Sequence, residues 1–244
     1  MKNFTLPMLL CLSCVIFKSN AFNPADLAKV KAGNRSLRGA HLDGVVLHEI
    51  DLSGANLADA DLSGADLTEA DLSSADLTGA NLTGAVLIGA DLTDTVLSGA
   101  FLTNADLTGA FLTRSRLIWA TLKKTILSET FLNNADLRFA NLYSAFLSRA
   151  YLTGADLTKT VLTDAVLTDA VLTGAFLTNA NLTGADLSRA HLNGTNLSGA
   201  DLTGTRLSGA DFSSVTASIE GPALMTIMTH RQREYALSNG AICD

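Results

Sequence analysis

The sequence predicts an all-β fold, a solenoid of stacked square coils with a short capping helix at each end. Three observations carry that expectation. Leu recurs at every fifth position from Leu37 to Leu207 and Phe212 closes the series, so 35 of 36 centres are Leu. Two residues before each centre sits a small side chain, usually Ala and in places Thr95, Ser115 or Thr160. The unit Ala–Asp/Asn–Leu–Ser/Thr–Gly runs unbroken from Ser36 to Val215. A short fixed period means that one structural unit is stacked many times.

A period of five fits neither regular element. An α-helix advances 100° per residue, so every fifth Leu would spiral around it. A flat strand has period two, and an odd spacing would send successive leucines to opposite faces. The pattern works if the chain bends once per repeat, with Ala and Leu turned inward and the other three positions outward. Four sides then close a square coil of 20 residues. Coils stack at a strand spacing of ~4.8 Å and share parallel hydrogen-bond ladders. Asp and Asn suit the bend because their side chains bond the local backbone. Gly tolerates the unusual dihedrals beside it.

The run Ala55-Asn56-Leu57-Ala58-Asp59, Ala60-Asp61-Leu62-Ser63-Gly64, Ala65-Asp66-Leu67-Thr68-Glu69 resembles the pentapeptide-repeat proteins. The resemblance covers about 180 of the 244 residues. It implies a right-handed quadrilateral parallel β-helix. Thirty-six units at four per coil give about nine coils. A rod of that count is ~43 Å long at the ladder spacing. One coil buries too little to stand alone, so ladders between coils must supply the difference, as in other solenoids.

The ends differ from the repeat. Residues 1–21 read as a signal peptide: Lys2 supplies a positive start, Phe4 to Phe17 is mostly apolar, and Ser19-Asn20-Ala21 is a small-x-small cleavage site. A membrane anchor is the bland alternative, but the run is shorter than the ~20 residues a span needs. A lipid anchor on Cys14 is disfavoured by Cys11, where such signals carry Leu. An exported chain, in the periplasm or an equivalent lumen, is expected. Cleavage removes Cys11 and Cys14 and leaves Cys243, a free thiol on the tail or a link to another chain. It also removes Lys2 and Lys18, which takes the net charge from −7 to −9. So acidic a chain is a poor ligand for a phosphate backbone, and no nucleic acid is expected.

Solenoids need caps because their end coils expose apolar side chains. Residues 22–35 form the expected N-terminal cap: Asn23 as N-cap, Pro24 at the first helical position, and Gly33 as the stop. Leu27 and Val30 would cover the first coil. Residues 36–216 are the β-helix. Residues 217–244 hold the second expected cap, a helix from Pro222 toward Ser238. Leu224, Ile227, Met228 and Tyr235 share one of its stripes, as a lid on the last coil or a dimerisation surface.

No chemistry is visible, and neither enzyme activity nor a cofactor is expected. Catalysis needs groups converging in a pocket, whereas this rod has a filled core and flat walls. His41, His48, His191 and His230 are scattered. His41 precedes Asp61 by one coil, as His191 precedes Asp211, and both pairs read as exposed neighbours. The column Asp51, Asp71, Asp91 would collect a cation at most, without the nonapeptide of calcium-binding β-rolls. No phosphate loop or zinc spacing is present.

The outer positions carry the variation. Residues 20 apart stack, so the residue before each centre forms four columns. One reads Asp51, Asp71, Asp91, Phe111, Phe131, Tyr151, Val171, His191, Asp211. The next contains Ile126, Phe146 and Val166. Trp119 and Phe139 are also 20 apart. These nine apolar residues are the candidate interaction site. Charge follows the same banding. From His41 to Ala100 there are eleven Asp or Glu and no Lys or Arg, and from Phe101 to Phe176 six acids against seven bases, including Arg114, Arg116, Lys123 and Lys124. An apolar patch on an outer wall usually marks an interaction surface; the competing readings are aromatics that one wall merely tolerates and a terminal segment folded back over the patch.

The function expected is a non-enzymatic protein-interaction scaffold, exported, binding a protein partner or a second copy of itself as a homodimer. Two alternatives compete. Some cytosolic relatives in the resembled family are acidic rods that occupy the DNA site of a topoisomerase, and the acidic first third is similar. Export and the bases of the waist oppose that reading. An ice- or surface-binding wall is the other, supported by the regular Ser/Thr and opposed by the uneven aromatic band.

Overall fold

The computed structural model describes residues 22–215. The expected signal segment, the expected C-terminal helix and Cys243 lie outside the described residues.

The repeat folds as one coil per 20 residues. Each residue before a centre bridges, in parallel, the residue 20 further on: Ser36 to Asn56, His41 to Asp61, Val46 to Asp66, and so on to His191 with Asp211. Four sides therefore make a coil, and each side contributes a single bridging residue. The all-β expectation needs that refinement. The chain turns once in every five residues, so the ladders are long while no strand along the chain is. Leu37 to Leu207 are buried, as are the small residues two before them. The leucines form one continuous axial cluster.

Where Asp or Asn precedes the Leu, every backbone N–H of the unit has a partner, and the accounting explains the repeat residue by residue. The amide of Leu52 donates to the Asp71 carbonyl in the next coil at 2.7 Å, and the amide of Gly54 to that of Ser73 at 2.8 Å. The amide of Asp71 points the other way, to the Ile50 carbonyl at 2.9 Å. Ala55 donates to the Leu52 carbonyl at 3.0 Å and closes the turn. That leaves the amide of Ser53, which donates to Oδ1 of Asp51 at 3.0 Å. Asn performs the same task, as where Thr183 donates to Asn181 at 3.0 Å. This is why Asp and Asn interchange before the Leu: both offer Oδ1 to the amide two residues on.

The turn also fixes the fifth position. Its third residue has positive φ throughout, as in Gly54 (61°). Such a turn favours Gly because other side chains crowd the backbone there. Arg114, Trp119 and Phe139 adopt it nonetheless, at 59°, 61° and 60°. Where Thr replaces the inward Ala, its hydroxyl stays satisfied. Thr95 donates to the Leu72 carbonyl at 2.8 Å and Thr125 to that of Leu102 at 2.7 Å.

The N-terminal helix α1 spans Pro24–Lys31. Asn23 caps it by accepting from the Ala25 amide at 2.9 Å. Leu27 and Val30 pack onto the axial cluster with Phe22 against them. The buried carboxylate of Asp26 ties the helix to the rod: it accepts from Lys29 Nζ at 2.8 Å and from the His41 amide at 3.1 Å. The Asn23 amide in turn donates to the His41 carbonyl at 2.9 Å. Among the described residues no helix is long and apolar enough to cross a membrane.

Candidate interaction surface

The aromatic column is a stacked ladder. The Phe111 and Phe131 rings lie 5.0 Å apart at 6°, and Phe131 and Tyr151 4.9 Å apart at 2°. Val171 extends the same ladder by bridging Tyr151. The ring spacing is the coil spacing, so the rod itself sets the stack, and each stacked pair contributes ~0.5–1.5 kcal/mol. Phe111 and Tyr151 are exposed, at 44% and 41%, with Phe131 half-buried between them. On the adjoining face Ile126 bridges Phe146, and Phe146 bridges Val166. Ile126 and Phe146 are exposed and Val166 is half-buried.

These residues displace the Asp or Asn that the turn uses. Phe131 offers no acceptor to the amide of Asn133, nor Phe146 to that of Ser148. The apolar band thus gives up a local bond at each position and gains an exposed ring.

The two faces meet at a charged corner. Its column runs Gly109, Glu129, Arg149, Asp169, Arg189, with signs alternating. Arg149 lies 3.2 Å from Glu129 and Arg189 2.7 Å from Asp169. The Arg189 guanidinium holds the Asp169 carboxyl below the ordinary carboxylate range, helped by Arg149. An open cleft of about 340 Å³ lies against this corner, lined by Gly109, Glu129, Phe131, Arg149 and Tyr151.

Trp119 and Phe139 stand apart from the other seven candidates. They occupy the corner diagonally opposite, because two sides of the square separate their column from that of Glu129 and Arg149. Their rings stack at 4.4 Å and 10°, and Lys159 Nζ lies 5.5 Å from the Phe139 ring centre. Further exposed apolar residues escaped selection from the sequence: Ile88, Phe101, Tyr143 and Phe176. Phe101 and Phe176 also precede a centre, each on one of the two remaining faces. The aromatic band is therefore a girdle around all four faces. The signal for it was in the sequence, because between Asn23 and Asp211 every aromatic lies within Phe101–Phe176, but a search for columns passes over single rings.

The bases of the girdle are engaged locally. Arg114 pairs with Asp94 at 2.6 Å, one coil earlier, and Arg138 with Asp136 at 2.7 Å. Asp94 is held below its ordinary range by the hydrogen bond from Arg114, which is raised in return. His41 and His191 bridge Asp61 and Asp211 as neighbours along the ladders. His48 Nε2 lies 2.6 Å from an Asp66 oxygen. Asp51, the start of the acidic column, accepts from the Ser53 hydroxyl at 2.7 Å and pairs with Arg35 at 2.7 Å. Among the described residues no three His, Cys, Asp or Glu side chains are grouped to hold a metal ion.

Comparison with known proteins matches the repeat region to one family. Residues 36–73, 75–114, 115–154, 145–184 and 180–216 fit the model of pentapeptide repeats, in eight copies. The sequence matches no curated protein. Among solved structures it is similar to HetL, a pentapeptide repeat protein involved in heterocyst differentiation regulation from the cyanobacterium Nostoc. The identity is 35%, over 79% of this chain and 94% of that one, with a TM-score of 0.44. QnrB1, a plasmid-mediated fluoroquinolone resistance protein, is 18% identical over 81% of this chain and 97% of its own, with a TM-score of 0.35. A pentapeptide repeat protein of the Arabidopsis thaliana thylakoid lumen is 29% identical over 46% of this chain and 65% of its own, with a TM-score of 0.24.

Proposed function

The chain belongs to the pentapeptide-repeat family, whose members fold as right-handed quadrilateral β-helices, and from that premise we propose that it is an exported, non-enzymatic protein-interaction scaffold. It binds a protein partner or a second copy of itself through the aromatic girdle. On this reading the rod has nine coils, with α1 as its N-terminal lid. Among the described residues the axis is filled by leucine, and the exposed girdle on the walls supports recognition as the activity.

One observation carries the reading. Phe111 and Tyr151 stand exposed, with Phe131 half-buried between them, where the repeat uses a turn-bonding Asp or Asn. They add nothing to the core and forgo a backbone bond each, so their value lies outside the fold. Arg114, Arg138 and Arg149, each paired with a neighbouring acid, interrupt the acidic wall at the same level. That favours a protein surface over a continuous mimic of duplex charge.

Replacing Phe111, Phe131 and Tyr151 together with Asp tests it. Each Asp restores an acceptor for the amide two residues on, as in the existing Asp51–Asp71–Asp91 column, so the melting temperature is expected to hold or rise. Self-association in sedimentation, or crosslinking to the native partner, is expected to disappear. A wild type monomeric at high micromolar concentration removes the homodimer. A folded triple variant that keeps every native crosslink removes the girdle as the binding surface.

Export has its own test. The mature chain in its native host is expected to begin near Phe22, read by intact mass. Retention of Met1 to Ala21 refutes it.

A further inference from the structure

Trp119 is 63% exposed, more than any other large hydrophobic residue among those described. Its φ of 61° is that of every turn's third residue, so the ring projects from the corner of the rod. Phe139 covers one face of the indole. The other face looks back along the corner column, which reads Arg38's partner Asp59, then Gly79, Gly99 and Trp119.

That column has a missing rung. A Cβ built on Gly99 would meet nothing within 4 Å, so the space beside the indole is open. A Cβ built on Gly79 would meet Oδ1 of Asp59 at 2.8 Å, so the carboxylate leans over Gly79 toward the gap. Its other oxygen, Oδ2, accepts from Arg38 at 2.7 Å. The open rung therefore lies between an aromatic face and a carboxylate oxygen, two coil spacings or ~10 Å apart in all. Ser98 and the half-exposed Phe101 flank it along the chain.

The chemistry of the gap selects a flat cation. An indole is the strongest aromatic seat for one, and a guanidinium prefers to lie flat on such a ring. The protein already seats a cation at the far end of this stack, where Lys159 lies over Phe139. The gap also opens at the edge of the segment His41 to Ala100, with its eleven acids and no base. That segment draws cations toward the rod.

We propose that the Gly99 rung is a recognition slot for an arginine side chain of a partner protein. The guanidinium stacks on the open face of Trp119, and the Asp59 carboxylate across the gap favours its charge without bonding it. The slot deepens the scaffold reading by stating the partner's chemistry. It lies on the corner opposite the Phe111 ladder, so either surface can fail without the other.

Trp119 is the single tryptophan of the chain, so its fluorescence reports the slot directly. The probes are blocked hexa-arginine and its hexa-citrulline isostere, which keeps the planar group and loses the charge. Hexa-arginine is expected to produce a saturable change in emission, with hexa-citrulline at least about tenfold weaker. Asp59→Asn weakens binding severalfold. Gly99→Arg fills the rung from within, and an Arg at positive φ is already accommodated at Arg114, Arg149 and Arg189. This variant is expected to melt like the wild type and to lose the saturable response. The Phe111, Phe131 and Tyr151 triple variant keeps it. Three results overturn the slot: no saturable change up to about 10 mM, equal binding of the citrulline peptide, or an unchanged response in a folded Gly99→Arg protein, which assigns binding to the acidic wall.

Discussion

Leu127→Asp is expected to unfold the central coils, while Ile126→Asp, one residue away, leaves the rod intact. Leu127 is fully buried on the axis. Its loss removes ~1.5–3 kcal/mol of burial. The new carboxylate has no donor there, because the backbone amides around the axis are already spent on the ladders. The Leu127 amide itself donates to the Phe146 carbonyl at 2.7 Å. An unpaired charge in such a place costs several kcal/mol more. A solenoid holds each coil only through its neighbours, so a break in the middle leaves two short stacks. The melting temperature is expected to fall by ~10–20 °C or the cooperative transition to split. Ile126 points outward, and an Asp there regains the Oδ1 acceptor for the Ser128 amide. Its melting temperature is expected to match the wild type or exceed it. Thermal melting followed by circular dichroism reads both. A Leu127→Asp protein that melts with the wild type contradicts the leucine axis.

The pair also marks where the sequence is transparent. Inward and outward positions follow from the five-residue period alone, because Leu127 and Ile126 differ only in phase. The ladder partners follow as well, since 20 residues return the chain to the same side. Phe111, Phe131 and Tyr151 are legible as a column for that reason. The angle between columns follows too: Trp119 and Phe139 stand two sides, or ten residues, from the column of Glu129 and Arg149, and so at the corner opposite the cleft at Phe131 and Tyr151. What the period does not carry is what lies beside a residue across coils. Gly99 and Gly79 look alike in the repeat, but Asp59 fills the space over one and leaves the other open. Such differences depend on which way a neighbouring side chain leans, and the repeat pattern is silent on that.

Acid is expected to weaken the rod below about pH 4, through the same Asp side chains that make the turns. Asp51 and Asp76 are held below their ordinary value of 3.8 first by the hydroxyls of Ser53 and Thr78 and then by the backbone amides of those residues. Asp201 is lowered in the same way by Thr203. At Asp66, Asp136 and Asp186 burial works against the charge and is the largest single influence, yet the bonds they accept still win. Asp26, which fastens α1, is lowered by Lys29 and the His41 amide. In each case the folded form binds its proton less readily than the unfolded chain. The unfolded state therefore takes up protons first as pH falls. The stabilisation is complete above the unfolded value near 3.8 and drains away as pH drops through the lower folded values. Melting temperature is expected to stay level from pH 8 to pH 5 and to decline steadily from pH 4 to pH 2. Replacing Asp51, Asp76 and Asp201 with Asn keeps the amide acceptor that Asn81 and Asn181 already provide, at 3.1 and 3.0 Å. It removes three titrating groups and is expected to flatten the acid limb. Relief of repulsion in the acidic first third acts in the opposite direction. If that repulsion governs, the wild type melts as high at pH 2.5 as at pH 7, and the turn carboxylates are not what acid removes.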